Sequence, residues 1–178
     1  VVLDETKEWF RFHPLFQEFL RARLATTYSP EQIAELHRRA SQWFAAQNLI
    51  EEALPHAITA NDGALAADIV ERHRYVLLDE THLPRLENLL RLLPPQIIDE
   101  RPALLLSLAW VAWFRLRMPE IIEFVNRAQV LVDRMESDSP NARMLQGEVA
   151  AFRSYQAYWS GDFSGAQSQG EMALAQAS

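Results

Sequence analysis

Cysteine is absent from this chain of 178 residues, and glycine is scarce at five. Without thiols there is no disulfide, no thiolate nucleophile and no Cys-ligated zinc, a composition that suits a reducing cytoplasm. So few glycines leave little room for the tight turns of an all-β chain. An excess of positive charge is also missing. The 17 Lys and Arg stand against 24 Asp and Glu, a formal net charge of −7. Neutralising a phosphate backbone takes clustered basic residues, so no direct nucleic-acid contact is expected of this segment. The densest basic pairs, Arg21 with Arg23 and Arg38 with Arg39, have acidic residues close in sequence and read as solvated faces. Long hydrophobic runs are lacking too. The longest, Ala103 to Phe114, is broken only by Ser107. It falls short of the about 20 residues a membrane span needs and reads as a buried helix. Val1-Val2-Leu3-Asp4 carries neither an initiator Met nor a leader, and the pattern reaching Ser178 is helical. Both ends are expected to be cuts from a longer protein.

Motifs for chemistry are equally sparse. The sequence holds no phosphate-binding loop, dinucleotide fingerprint, H-E-x-x-H or G-x-S-x-G. His37 and His56 fall on successive predicted helices and could approach each other, but only Glu52, four residues before His56, has ligand spacing. Two surface or helix-packing histidines are the expected reading. Glu51, Glu52 and Glu71 read as ordinary helix-surface carboxylates, and no acid–base pair stands out. No catalytic, metal or cofactor site is expected within the segment, and an enzyme with a site between helices is the disfavoured alternative.

What the chain does have is helix-forming sequence. Hydrophobic residues make up 49%, and Ala, Leu, Glu, Gln and Arg fill most positions. Residues 1–12 alone have β character, with Val1-Val2-Leu3 and Trp9-Phe10-Arg11-Phe12 flanking a polar stretch, and predict a hairpin. His13-Pro14 opens a helix, and Ser29-Pro30-Glu31-Gln32 spells a capping box. Further helices are predicted over 50–60 and 64–73, and one or two short ones over 75–93, ended by Pro94-Pro95. Pro102, Pro119 and Ser139-Pro140 start three more, and Asp162 caps the last. About eight to ten helices joined by short turns favour antiparallel neighbours.

Internal similarity supports a stack of such pairs. Tyr158-Trp159-Ser160-Gly161-Asp162-Phe163, then Ala166, aligns with Trp113-Phe114-Arg115-Leu116-Arg117-Met118, then Ile121. It aligns again with the segment holding Ala45, Asn48, Leu49, Ile50 and Ala53. Aromatic or small residues before a turn and small ones on the second helix form the tetratricopeptide pattern, but the offsets are not multiples of its about 34-residue period. The expected fold is all-α: an irregular, tetratricopeptide-like, right-handed stack of antiparallel helix pairs after a short N-terminal β-hairpin remnant. Trp43, Trp110, Trp113, Tyr155, Tyr158 and Trp159 fall at helical spacing, which ordinarily means core. Their concentration at the ends of first helices also predicts a groove for a peptide or small effector.

Several stretches carry a resemblance. They are the aromatic-aromatic-Arg-aromatic-His-x-Leu-Phe run beginning at Trp9, Leu36-His37-Arg38-Arg39 through Trp43-Phe44, Glu52 through Ala57, Leu92-Leu93-Pro94-Pro95 and Arg101-Pro102. Together they resemble the MalT-like large ATP-dependent LuxR-type transcriptional regulators of the STAND class. The resemblance implies a chain order of ATPase module, winged helix, tetratricopeptide-like region and DNA-binding helix-turn-helix. Residues 1–28 would then end the winged helix, and 29–178 would begin the helical sensor region. It also implies ATP or ADP as cofactor of the intact protein and His13 as its nucleotide-sensing residue. The implied partners are the ATPase and helix-turn-helix modules of the same chain, an inducer or protein effector, and further copies through self-association. An interaction scaffold unrelated to transcription is the rival reading.

Overall fold

The computed structural model of the protein describes residues 12–79, 81–136 and 139–176. Among the described residues there are ten α-helices, one 3₁₀ turn and no strand. The hairpin expected over residues 1–12 lies outside the described residues except for Phe12. The chain divides into two compact units between Asp62 and Gly63.

The first unit holds α1 (Pro14–Thr27), α2 (Pro30–Ala46) and α3 (Ile50–Thr59). Both reciprocal bonds of the Ser29 capping box form: the Gln32 N–H donates to Ser29 Oγ at 3.3 Å, and the Ser29 N–H donates to Gln32 Oε1 at 2.9 Å. Two otherwise orphaned N–H groups are thereby satisfied, which fixes where α2 begins. Helices α2 and α3 pair through buried Ile50, Ala53, Leu54 and Ala57. Ser41 is buried within this pair, and its hydroxyl donates to the Ala53 carbonyl at 2.8 Å. Helix α1 touches α2 but buries none of its own residues, leaving Leu15, Phe16 and Phe19 exposed.

The second unit runs α4 (Gly63–His73), a 3₁₀ turn (Arg74–Leu77), α5 (Leu83–Leu92), α6 (Pro95–Asp99), α7 (Pro102–Phe114), α8 (Met118–Val132), α9 (Pro140–Trp159) and α10 (Phe163–Gln176). Pro94-Pro95 does end α5, but Pro95 also starts the short α6, because a first-turn proline has no needed N–H to lose. Helix α7 is the centre. Ala103 through Ser107, Ala109, Val111 and Ala112 are all buried, and α4, α5, α6, α8 and α9 all pack on it. An all-round apolar helix requires such partners. Antiparallel pairs α7–α8 and α9–α10 complete the unit. Gly147 on α9 lets α10 approach so closely that a Cβ there would meet Gln176 Cβ at 3.0 Å.

One turn design recurs at the helix-pair connections. Asn48, Leu116 and Gly161 each take a left-handed φ, at 58°, 56° and 84°. In each case the following N–H bonds back to the carbonyl five residues earlier: Leu49 to Phe44, Arg117 to Ala112 and Asp162 to Ala157. This is the Schellman closure, which satisfies the last carbonyls of the first helix. These are the three positions that the internal sequence similarity aligns. The Ser41–Ala53 bond has its counterpart too, since Ser154 Oγ donates to the Ala166 carbonyl at 2.7 Å. The helix pairs are copies of one irregular unit.

Candidate functional site

The helices place the singled-out aromatics in distinct settings. Trp43 belongs to the first unit, is half exposed, and meets Phe44 edge-on at 5.1 Å. In the second unit Trp110 packs against Phe152 at 4.6 Å and Trp113 against Tyr155 at 4.4 Å. Tyr158 makes edge contacts with Trp159 and Phe163. Trp113, Tyr155 and Trp159 wall one apolar cleft of about 170 Å³, closed by Met118, Ile121 and Ile122 from α8. Its inner side is Phe152, and Gln156 is its one polar wall residue among those described. Trp113 stands in the last turn of α7, which ends at Phe114, and α9 carries Tyr155 beside it and runs on to Trp159.

Behind Phe152 lies a feature with no local signal in the sequence. Arg74 is 1% exposed, and its guanidinium pairs with Glu148 of α9, 74 residues away. Nη1 donates to Glu148 Oε1 at 3.2 Å and to the Ala103 carbonyl at 3.0 Å. Trp110 Nε1 donates to the same Glu148 oxygen at 2.7 Å, and the Tyr75 hydroxyl donates to the other at 3.2 Å. A buried charge pair persists only when its remaining hydrogen-bonding capacity is filled in this way. Burial, and after it the Glu148 charge, pushes the Tyr75 phenol up to about 12. Trp110, bonded to Glu148 and packed on Phe152, links the ion pair to the wall of the cleft. Glu71, expected on an open helix surface, is instead partly buried, and it accepts from Arg101 at 3.2 Å. Burial pushes its carboxyl above the usual range, and the Arg101 charge opposes that shift.

His13 is the N-cap of α1, where its Nδ1 accepts from the Leu15 N–H at 3.4 Å. With Nδ1 acting as acceptor, the neutral ring carries its proton on Nε2, a donor suited to an oxyanion. The ring is exposed.

His37 and His56 do meet, with Nδ1 atoms 2.7 Å apart and the His56 ring stacked on Phe44. Among the described residues no group of three potential ligands forms around them or elsewhere. One ring therefore donates Nδ1–H to the other's lone pair, and double protonation would set two donors against each other. Burial, and then the His37 charge, hold His56 below its ordinary 6.5. An unfolded chain thus takes up this proton at higher pH than the folded one. The pair's contribution to stability is complete above about pH 6.5 and is lost as pH falls below it toward the lowered folded value. Thermal melts of the parent and of His56→Gln from about pH 7.5 to about pH 5 should converge as the parent loses this contribution. Parallel curves would remove the pair from the pH response.

Residues 1–33 match the MalT winged helix domain family. Over 150 residues, 84% of the chain, it is 33% identical to the serine/threonine-protein kinase PknK of Mycobacterium tuberculosis (strain ATCC 25618 / H37Rv). The PknK of Mycobacterium bovis matches to the same extent. Over 160 residues, 90% of the chain, it is 33% identical to the HTH-type transcriptional regulator MalT of Cronobacter sakazakii. The aligned part is 13% of each kinase and 17% of the regulator. No solved structure matches. No helix among the described residues is long and apolar enough to cross a membrane. The chain, all-helical among its described residues, is related to MalT-type regulators over most of its own length and a small part of theirs.

Proposed function

We propose that this segment is a signal-relay and effector- or partner-binding element of a cytoplasmic, ATP-dependent LuxR-type transcriptional regulator, non-catalytic by itself. In this reading residues 1–28 end a winged helix and residues 29–178 begin its tetratricopeptide-like sensor region. The observation that carries it is the similarity to MalT across 90% of the chain, winged-helix match included. The equal identity to PknK supports relay over output: a segment shared by proteins named as a kinase and as a transcriptional regulator is unlike either named activity. Effector binding would shift a closed–open equilibrium of the ATPase module, which requires different affinity for the two states. His13 would stabilise the closed form by donating Nε2–H to a nucleotide phosphate oxygen.

Two measurements test this. The coding sequence on either side should encode a phosphate-binding loop upstream and a helix-turn-helix downstream; absence of either sinks the regulator reading. In the intact protein, His13→Ala should release bound ADP faster and raise uninduced transcription. Unchanged ADP retention and unchanged basal output would end the assignment of His13.

A further inference from the structure

The aromatic cleft does not stop at its apolar walls. Gln156 and Ile122 form an edge shared with a wider, polar cleft of about 550 Å³ between α8, α9 and α10, which Arg153 also lines. Two observations give that edge a charge preference. Gln156 Nε2 is buried and has no hydrogen-bond partner among the described residues. The amide cannot simply turn over, because its Oε1 already accepts from Arg153 Nη1 at 3.0 Å, and flipping would set two donors together. Arg153 in turn bonds only neutral oxygens among the described residues, Gln156 Oε1 and Asn126 Oδ1 at 2.7 Å. Its guanidinium therefore lacks a carboxylate partner there. Asp162, on the polar cleft's wall, is engaged as the cap of α10, accepting from the Gly165 N–H at 2.9 Å and the Ser164 hydroxyl at 3.2 Å. A part-buried cation beside an unsatisfied N–H donor complements an acceptor carrying negative charge.

We infer that the edge at Gln156 is a binding site for a small organic carboxylate whose apolar body fills the aromatic cleft. The carboxylate would sit at the Gln156 edge with Arg153 as its countercharge, a small turn of the Gln156 side chain bringing the buried Nε2 donor to it. The body would lie between Trp113, Tyr155 and Ile122. The size follows from the cavity. At about 170 Å³ it is below the about 300–1,000 Å³ of pockets for drug-sized ligands, so one ring or a short branched chain is the natural occupant. This deepens the effector-binding part of the proposed function by naming a ligand class, and it requires no transcriptional output.

The probes are phenylacetate and its uncharged analogue 2-phenylethanol, titrated into the ¹⁵N-labelled chain of 178 residues. Phenylacetate should shift the Gln156 side-chain amide and the Trp113 and Trp159 indole N–H signals. It should saturate near about 1 mM or below and bind at least about tenfold tighter than the alcohol. Gln156→Glu should abolish binding of the acid and spare the alcohol, whose retention also reports an intact cleft. Arg153→Met, with helicity checked by circular dichroism, should weaken the acid about tenfold. Equal affinity for acid and alcohol overturns the site, as do shifts confined to other surfaces, silence up to about 20 mM, or an Arg153→Met chain that binds the acid unchanged. Because the isolated chain is titrated, failure here leaves the relay reading standing, and failure of the flanking-gene test leaves this site standing.

Discussion

Replacing Glu148 with alanine should cost the second unit about 3–5 kcal/mol, the usual penalty for leaving a buried charge without its partner. Arg74 is 1% exposed and cannot turn to water, and the Ala103 carbonyl and Ser107 hydroxyl at 3.0 and 3.4 Å are neutral. The substitution also strips the acceptor from Trp110 Nε1 and the Tyr75 hydroxyl. Against a typical total stability of about 5–15 kcal/mol, that is a large share. Arg74→Met combined with Glu148→Leu should recover most of the loss, because desolvating both charges consumes much of what their attraction returns. Urea denaturation of the two single variants and the double variant gives the coupling directly. A second readout is optical. The Tyr75 phenol, held up at about 12 partly by the Glu148 charge, should ionise at lower pH in Glu148→Ala. A loss under about 1 kcal/mol would show that the pair is hydrated in solution and is not a structural clamp.

The same pair shows where the sequence stops being informative. Local chemistry was legible: the Ser29 box, the Asp162 cap and the proline starts at Pro14, Pro30, Pro102 and Pro140 all form as the residue types require. The aligned repeats located turns at Asn48, Leu116 and Gly161, but not their left-handed conformation, which a leucine such as Leu116 rarely adopts and which Asn61, outside the alignment, also takes. Pro94-Pro95 was legible as a boundary but not as a start, since a proline pair ends one helix and opens the next by the same restriction on φ. Pairing across 74 residues was invisible. Nothing in Arg74 or Glu148 alone separates a buried clamp from a solvated helix charge, and Glu71 misled for the same reason. The aromatic cleft was half legible. Helical spacing grouped Trp43, Trp110, Trp113, Tyr155, Tyr158 and Trp159, of which only Trp113, Tyr155 and Trp159 line the apolar cleft. The character of its polar edge depends on what Arg153 and Gln156 do not bond, which no sequence pattern records.

The inner wall of that cleft should be as sensitive as the clamp behind it. Phe152→Ala should cost about 3–5 kcal/mol, the sum of lost apolar transfer and the void left behind. Phe152 is 1% exposed and lies between the cleft and Trp110, with its ring 4.6 Å from the indole. Helix α7 is packed on nearly every side, so its neighbours have little freedom to collapse into the gap. Without Phe152 the Trp110 indole loses one face, and its 2.7 Å bond to Glu148 Oε1 loses the packing that orients it. Phe152→Ala and Glu148→Ala together should therefore cost less than the sum of the two alone, because each removes part of what the other depends on. Urea midpoints followed by tryptophan fluorescence measure all three variants. A dry void of this kind accepts a small apolar molecule. Saturating benzene should raise the midpoint of Phe152→Ala by more than it raises that of the parent, whose cleft already admits one ring. A loss below about 1.5 kcal/mol, with a benzene effect no larger than the parent's, would mean that the seam between α7 and α9 relaxes freely. In that case the cleft and the ion pair could not communicate through Phe152, and an occupant of the cleft would have no mechanical route to the buried charges.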